Sequence, residues 1–219
     1  VTTPSTDLPR WRRRPSERPT EILEAALTVF TERGLAGARM EDIAAAAGIS
    51  KGTLYLYFSG KEELFQEAIR EKVAQMLEGL ASAAPPGEPV LRLTRFMEAY
   101  WKHLRRPQFA SLYRLIMAEL HQFPELVRFY ADEVSGRTIG LLGEIIREGV
   151  ASGHFRDGDP QVMARMIVGL LVQHAVWASR RELFPHLGNR SDKTLTKEME
   201  DFILGALISP GTTRKEAAR

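Results

Sequence analysis

No cysteine occurs in the 219 residues, which excludes a disulfide framework and any thiolate-ligated metal and suits a reducing compartment. An excess of one charge is also missing: 30 Lys and Arg stand against 28 Asp and Glu, leaving a formal net charge of +2. A chain of this balance can hold a polyanion only if its basicity is concentrated locally. No apolar run approaches the roughly 20 residues of a membrane span, and no basic-then-apolar leader opens the sequence. No membrane partner is therefore expected, and the cytoplasm is the expected location. Strand-type alternation persists nowhere and no internal repeat is evident, so helical periodicity dominates.

What is present is sharpest between Met40 and Lys61, which read MEDIAAAAGISKGTLYLYFSGK. Ile43, Ala46 and Ala47 fall on one face of a short helix whose alanines allow a neighbouring helix to come close. Gly48 supplies a left-handed stop. Ser50 stands where an N-cap hydroxyl accepts from the backbone of the next helix, which carries Lys51 through Phe58. On that helix Leu54 and Phe58, four apart, point inward. Lys51, Thr53, Tyr55 and Tyr57 face outward, a set of hydrogen-bonding groups with one cation on a rod thin enough for a major groove. Ser59 and Glu62 have the S-x-x-E spacing of a capping box opening the following helix. Lys61 then sits in that helix's first turn, where the dipole and an ammonium jointly suit a phosphate. The segment reads as a helix-turn-helix that binds double-stranded DNA.

These residues resemble the DNA-binding domain of the TetR (tetracycline-repressor-like) family of bacterial transcriptional regulators. The resemblance rests on Ile22, Leu23, Ala25, Ala26, Phe30 and Gly34, then Asp42, Ile43, Ala44, Ala47 and Gly48, then Ser50 to Tyr55, Tyr57, Phe58 and Lys61. It implies an all-α fold: an N-terminal three-helix head on a larger helical body, about nine helices, that binds a small effector and dimerises. By position it implies DNA contacts from Ser50, Lys51, Gly52, Thr53, Tyr55, Leu56, Tyr57 and Lys61, with Tyr55 and Lys61 mainly on phosphates. One departure stands out. Where the family places Thr or Ser to cap its second helix, this chain has Arg39; the missing cap costs about 1 kcal/mol, and the guanidinium is expected to meet phosphate instead.

Flanking organisation follows from composition and period. Residues 1–19 form a Pro-rich arm, expected to be disordered, in which Arg10, Arg12, Arg13, Arg14 and Arg18 outnumber Asp7 and Glu17. It reads either as a minor-groove arm or as a solvated tail adding only non-specific phosphate affinity. The head is expected over 20–66, the effector and dimerisation domain over 67–209, and a disordered tail over 210–219. Helix one is expected from Thr20 to Arg33, burying Ile22, Ala26, Val29 and Phe30. Helix four runs from Gly60 to about Leu80 as a lever, its apolar residues Leu64, Phe65, Ala68, Ile69, Val73, Met76, Leu77 and Leu80 at helical period. Ala84-Pro85-Pro86-Gly87 ends it. Further helices are expected at 88–105, 108–120, 124–152, 159–180 and 192–208, with Pro89, Pro124 and Pro160 in first turns and Gly153 at a helix end.

In the last two helices, Val162 to Trp177 is apolar nearly all round, and Leu195, Met199, Phe202, Ile203, Ala206 and Leu207 form a stripe. Each pattern suits intramolecular core or a partner; with the resemblance, it implies a homodimer through these helices. Residues 119 to 155 are similar to one subgroup of family bodies. Expected effector contacts are Tyr100, His103, Leu104, Tyr113, Met117, His121, Phe123, His174 and Trp177, which mix aromatic surface with a few polar tips; core packing is the competing reading.

The competing functional classes are an effector-independent DNA-binding dimer and a helical enzyme. Gly48-Ile49-Ser50-Lys51-Gly52 matches the G-x-S-x-G nucleophile elbow, but that elbow needs a preceding strand, and an Ala-rich helix stands there. Ser59-Gly60-Lys61 echoes a phosphate loop without its upstream glycine or its Ser/Thr. Catalytic residues are therefore expected to be none. His103, His121, His154, His174 and His186 include no H-x₃-H pair, so neither metal nor cofactor is expected, although His with Asp or Glu could still meet in space. The sequence points to a ligand-responsive repressor, released from a pseudo-palindromic operator by a small apolar or aromatic effector.

Overall fold

A computed structural model describes residues 18–119, 123–185 and 190–208. The expected arm up to residue 17, the expected tail, and His121 and His186 lie outside these described residues. The elements are α1 (Arg18–Gly37), α2 (Met40–Ala46), α3 (Lys51–Tyr55), α4 (Lys61–Ala83), α5 (Pro89–Leu104), α6 (Pro107–Glu119), α7 (Pro124–Phe129), a π-helical segment (Tyr130–Gly136), α8 (Arg137–Ala151), α9 (Pro160–Ala178), a 3₁₀ turn (Arg181–Leu183) and α10 (Asp192–Leu207). An isolated bridge pairs Phe155 with Ile208, and no strand occurs among the described residues. The tenth helix arises because the run expected over 124–152 is divided by the π-helical segment. Contacts divide the chain into two compact units, Val1–Ala68 and Ile69–Arg219, a boundary that falls within α4.

In the first unit, α1 starts at Arg18, two residues before the expected Thr20, and continues past Arg33 to Gly37, with a non-helical Gly34 (φ 73°) inside it. Ile22, Ala26, Val29 and Phe30 are buried as their spacing predicts, together with Ile43, Leu54, Phe58, Leu64, Phe65 and Ala68. Phe30 and Phe65 meet edge to face at 5.5 Å between ring centres, a geometry that favours the aromatic quadrupoles. Gly48 takes φ 65°, the left-handed conformation that an L side chain adopts reluctantly. Its N–H reaches the Ala45 carbonyl at 3.1 Å and the Ile49 N–H reaches that of Ala44 at 3.0 Å. These paired bonds close α2 as a Schellman motif.

In the second unit, α8 packs on α9, and α5 packs against α8, α9 and α10. Leu93, Phe96, Met97, Leu142, Ile145, Ile146, Ile167 and Leu171 lie at the centre of its core. Pro89 and Pro160 open α5 and α9, where a missing N–H removes nothing; Glu88 and Asp159 cap them, each carboxylate accepting from two backbone N–H groups. Gly149 is required by a close approach: a Cβ there would lie 2.0 Å from the ring of Phe155, which is buried. Arg156 then ties the α8–α9 connection to the end of α10, its N–H and Nε donating to the Leu207 and Ala206 carbonyls at 2.8 and 2.7 Å.

Helix α9 corrects one expectation. Its 19 residues are long and apolar enough, by length and composition alone, to match a membrane span, contrary to the reading that no run comes near one. Polar residues break the apolar run without lowering its average enough to fail that test, and Met163, Ala164, Ile167, Val168, Leu171, Ala175 and Ala178 are buried within the core.

Candidate nucleic-acid interface and effector cavity

Local capping builds the first candidate site. Ser50, extended at φ −74° and ψ 153°, is the N-cap of α3, its hydroxyl accepting from the Thr53 N–H at 3.0 Å and lying 2.8 Å from the Thr53 hydroxyl. Helix α2, not a strand, precedes it, so the nucleophile-elbow geometry is not met. Leu54 and Phe58 are buried, whereas Tyr55, Leu56 and Tyr57 are 46%, 85% and 42% exposed. Gly52 is exposed and Thr53 half-buried. The helix itself is shorter than the expected 51–58. After Tyr55 the N–H groups of Leu56 and Tyr57 turn to carbonyls three residues back, at 3.2 and 3.0 Å, tightening the last turn and placing Leu56 and Tyr57 just beyond α3.

Lys51 forms an ion pair with Glu41 and lies 5.7 Å from the centre of the Tyr55 ring. The hydrogen bond to Glu41 and then its charge raise the Lys51 ammonium above its ordinary value, and the same bond lowers the Glu41 carboxyl. Arg39 is the N-cap of α2 and contributes no side-chain capping bond; its side chain is free to face solvent-borne anions.

The start of α4 departs from the expected capping box. Glu63, not Glu62, reaches back, accepting from the Ser59 N–H at 2.7 Å and the Ser59 hydroxyl at 2.5 Å. The helix begins at Lys61, so Ser59 lies one residue outside the N-cap and the reciprocal partner moves on by one. These bonds lower the Glu63 carboxyl. Lys61 donates to the carbonyls of Ala36 at 2.9 Å and Ala38 at 3.3 Å, satisfying backbone acceptors at and just beyond the end of α1.

The second candidate site is a cavity of about 140 Å³ in the second unit, lined by Phe109, Ala110, Tyr113, Arg114, Ala175, Val176, Ser179, Arg180 and Leu183. Of the expected effector contacts that lie among the described residues, only Tyr113 lines it. Tyr100 and Leu104 are buried in the core, and burial raises the Tyr100 hydroxyl. His103 packs edge-on against Phe109 at 6.1 Å, while Phe109 stacks on Tyr113 at 5.7 Å. His174 lies 5.1 Å from Trp177, which lies 5.8 Å from Phe184. Met117 is exposed, and Phe123 is half-buried at the N-cap of α7. Sequence reasoning passed over the other lining residues although a signal existed: 109, 110, 113 and 114 on α6 repeat the spacing of a single helical face, and 175 and 176 on α9 continue at the same spacing into 179 and 180 just past its end.

A helix-turn-helix unit with exposed aromatic side chains, joined in one all-α chain to a helical unit with a small, mainly apolar cavity, defines the architecture of a DNA-binding transcriptional regulator. Comparison with known proteins places it more narrowly. Residues 22–68 match the family described as bacterial regulatory proteins, tetR family, and residues 91–206 match the C-terminal domain of AefR-like transcriptional repressors. The chain belongs to the TetR family, a family of transcriptional regulators rather than enzymes, and its second unit matches the C-terminal domain of a transcriptional repressor. It is 28% identical to the HTH-type transcriptional repressor KstR2 of Mycolicibacterium smegmatis, over 88% of this chain and 92% of that one. It is 32% identical to the HTH-type transcriptional repressor NicS of Pseudomonas putida, over 62% of this chain and 65% of the relative. The solved structure of the fatty acid degradation regulator FadR from Bacillus halodurans superposes with a TM-score of 0.72 at 26% identity, covering 89% and 97% of the two chains.

Proposed function

We propose that this repressor acts in the cytoplasm as a homodimer that reads a pseudo-palindromic operator and is released by a small apolar or aromatic effector. The observation that carries the reading is the exposed row of Tyr55, Leu56 and Tyr57 beside Lys51, fixed by the Ser50 cap. Phenol groups and a Thr hydroxyl suit base edges and phosphate oxygens, and an exposed leucine suits a thymine methyl. Lys61 and Arg39 suit phosphates. Dimerisation through α9 and α10 is supported by Met166 and Phe202, apolar side chains that are 70% and 67% exposed in the single chain.

The cavity between α6, α9 and the 3₁₀ turn supports the effector reading. Its volume is below the several hundred Å³ of most ligand sites, so an effector must select a conformation in which α6 and α9 part, and release follows as a population shift. Arg114 and Arg180 at its lining favour an effector with an acidic group. Helix α4, whose residues belong to both units, is the covalent route for the coupling.

Selection from random duplexes tests the reading. Two half-sites about 34 Å apart are expected for a dimer; selection of no sequence, or of a single half-site by a lone subunit, contradicts it. On the selected duplex, Lys61→Ala weakens binding to every sequence and flattens the salt dependence by about one contact. Thr53→Ala and Tyr57→Ala instead change the preferred sequence; identical effects from all three would remove the assigned roles.

A further inference from the structure

The recognition segment holds a carboxylate that it does not itself contain. From Ile43 to Gly60 the sequence has no Asp or Glu, which suits a surface that meets a polyanion. Yet Glu41, ten residues before Lys51 and in the first turn of α2, accepts a hydrogen bond from the Lys51 ammonium. Both side chains are 54% exposed, so the pair lies at the surface beside Tyr55, whose ring centre is 5.7 Å from the same ammonium. The bond from Lys51 above all, and last the charge of Arg39, hold the Glu41 carboxyl below its ordinary value. One acid thus acts on two of the cations that face the duplex in the function proposed above.

Helix stability accounts for Glu41 only in part. A carboxylate in the first turn of α2 suits the helix dipole, but Asp42 beside it meets the same demand and pairs with Arg33 of α1 at 2.6 Å. Glu41 is the one that engages the recognition helix, and an exposed ion pair adds little to stability. Its consequence for binding differs between duplexes. On an arbitrary sequence Lys51 gains only a phosphate, exchanging one anion for another, and the exchange leaves Glu41 unpaired against the polyanion. A G·C pair presents something else in the major groove: guanine O6 and N7 accept beside a cytosine N4–H that donates. Lys51 and Glu41 together present the complementary row, a donor beside an acceptor, so they can dock there without parting.

We propose that Glu41 is a specificity-determining residue of the DNA interface: it withholds Lys51 from non-specific phosphates and, with Lys51, favours a G·C pair at one position of each half-site. The inference rests on the reading of Ser50 to Tyr57 as the duplex-reading surface.

A double-mutant cycle in the full chain, with Glu41→Gln, Lys51→Gln and both together, tests it. Affinities are measured over a range of NaCl for the duplex obtained by selection, for a scrambled duplex of the same composition, and for variants of the selected duplex in which each G·C pair is changed in turn to A·T. Glu41→Gln is expected to tighten binding to the scrambled duplex about threefold to tenfold and to steepen its salt dependence by about one contact. It is expected to lower the discrimination against one of the A·T variants about tenfold. With Gln at position 51, the same substitution is expected to change the scrambled-duplex affinity less than about twofold, because no cation remains to be withheld. The proposal is overturned if Glu41→Gln acts equally in both backgrounds, which reduces it to a change of net charge. It is also overturned if no position loses its preference for G·C, or if both duplexes weaken in proportion as the melting temperature falls, which makes Glu41 a support of α2. A wild-type chain that binds no duplex removes the underlying reading and this inference with it; a wild-type chain that binds the selected duplex while the two substitutions act additively removes this inference alone.

Discussion

Tyr55 and Tyr57 of the first unit hold their phenol groups largely in solvent, whereas Tyr100 of the second is buried so fully that desolvation raises its hydroxyl. The same residue type serves opposite ends because the two units are organised over different ranges of sequence. In the first, the caps and turns that set the recognition segment are made by neighbours a few residues away: Ser50 by Thr53, Ser59 by Glu63, the Gly48 turn by Ala44 and Ala45. In the second, position depends on elements far apart in the chain, as where Arg92 reaches Glu148 and Arg105 reaches Asp192. A recognition surface must keep its shape while meeting a rigid duplex, so local fixation suits it. A sensing unit must change shape, and distributed packing between helices gives it alternative arrangements.

The largest effect is expected where the first unit does depend on distant packing. Phe30→Ala removes a fully buried ring and its edge contact with Phe65, and should destabilise this unit by about 3–5 kcal/mol, with specific operator binding lost. Chemical denaturation followed through the Tyr55 and Tyr57 environment checks it; a loss below about 1 kcal/mol would mean the local caps alone hold the unit. In the second unit, Gly149→Ala drives a methyl group into the Phe155 ring and should cost about 1–3 kcal/mol by overpacking. Its melting temperature should fall while the order of preference among duplexes stays unchanged. A shifted sequence preference would break the contrast between the units.

That contrast also decides how much was legible in the sequence. The buried faces of α1 and α4, the Gly48 stop, the Ser50 cap and the exposure of Tyr55 and Tyr57 follow from short-range rules, and the residues were readable one by one. The shortening of α3 by three residues and the exchange of Glu62 for Glu63 are errors at helix ends, where capping and helical bonds compete closely. Lys51 with Glu41 and Lys61 with Ala36 and Ala38 were not readable, because each joins different helices. In the second unit the helices were legible from period and proline, yet the cavity was not. Large side chains drew attention to Tyr100 and Leu104, which the packing of α5 buries, and away from Ala110, Ala175 and Val176. A cavity is lined by whatever its walls contain, and small residues that leave room give no compositional signal.

A pH titration sharpens the comparison at lower energy. Burial, and then the nearby Arg106 charge, push His103 down from 6.5 to about 4. The unfolded chain takes up a proton near pH 6.5, but the folded one does so only near 4. The stability that the neutral imidazole confers is complete above 6.5 and is lost progressively as pH falls from 6.5 through 4. Since the ring is only half-buried, the effect is discounted to about 1 kcal/mol. Among the groups with a resolved shift in the first unit, Glu41 and Glu63 are lowered from 4.5 and Lys51 is raised from 10.5, so their contributions change mainly outside the interval between pH 7 and pH 5. Wild-type stability should therefore fall between pH 7 and pH 5 more steeply than that of His103→Gln. Equal slopes would place the imidazole in contact with water.

The smallest effect is expected at Arg39, where fold and recognition make opposite demands. Its backbone, at φ −121° and ψ 147°, already has the extended N-cap conformation, and its carbonyl accepts from the Ile43 N–H at 3.2 Å. Only the side-chain acceptor is missing, and Ser50 shows at the next helix what a hydroxyl supplies in that conformation. Arg39→Ser should therefore stabilise the first unit by about 0.5–1 kcal/mol. If the guanidinium meets a phosphate, the same substitution weakens every duplex alike and lowers the salt dependence by about one contact. Stability rising while affinity falls would identify Arg39 as a position where helix capping has been exchanged for charge. A fall in both would mean that the arginine supports α2 through contacts the free chain does not reveal, and a rise in both would remove it from the duplex interface.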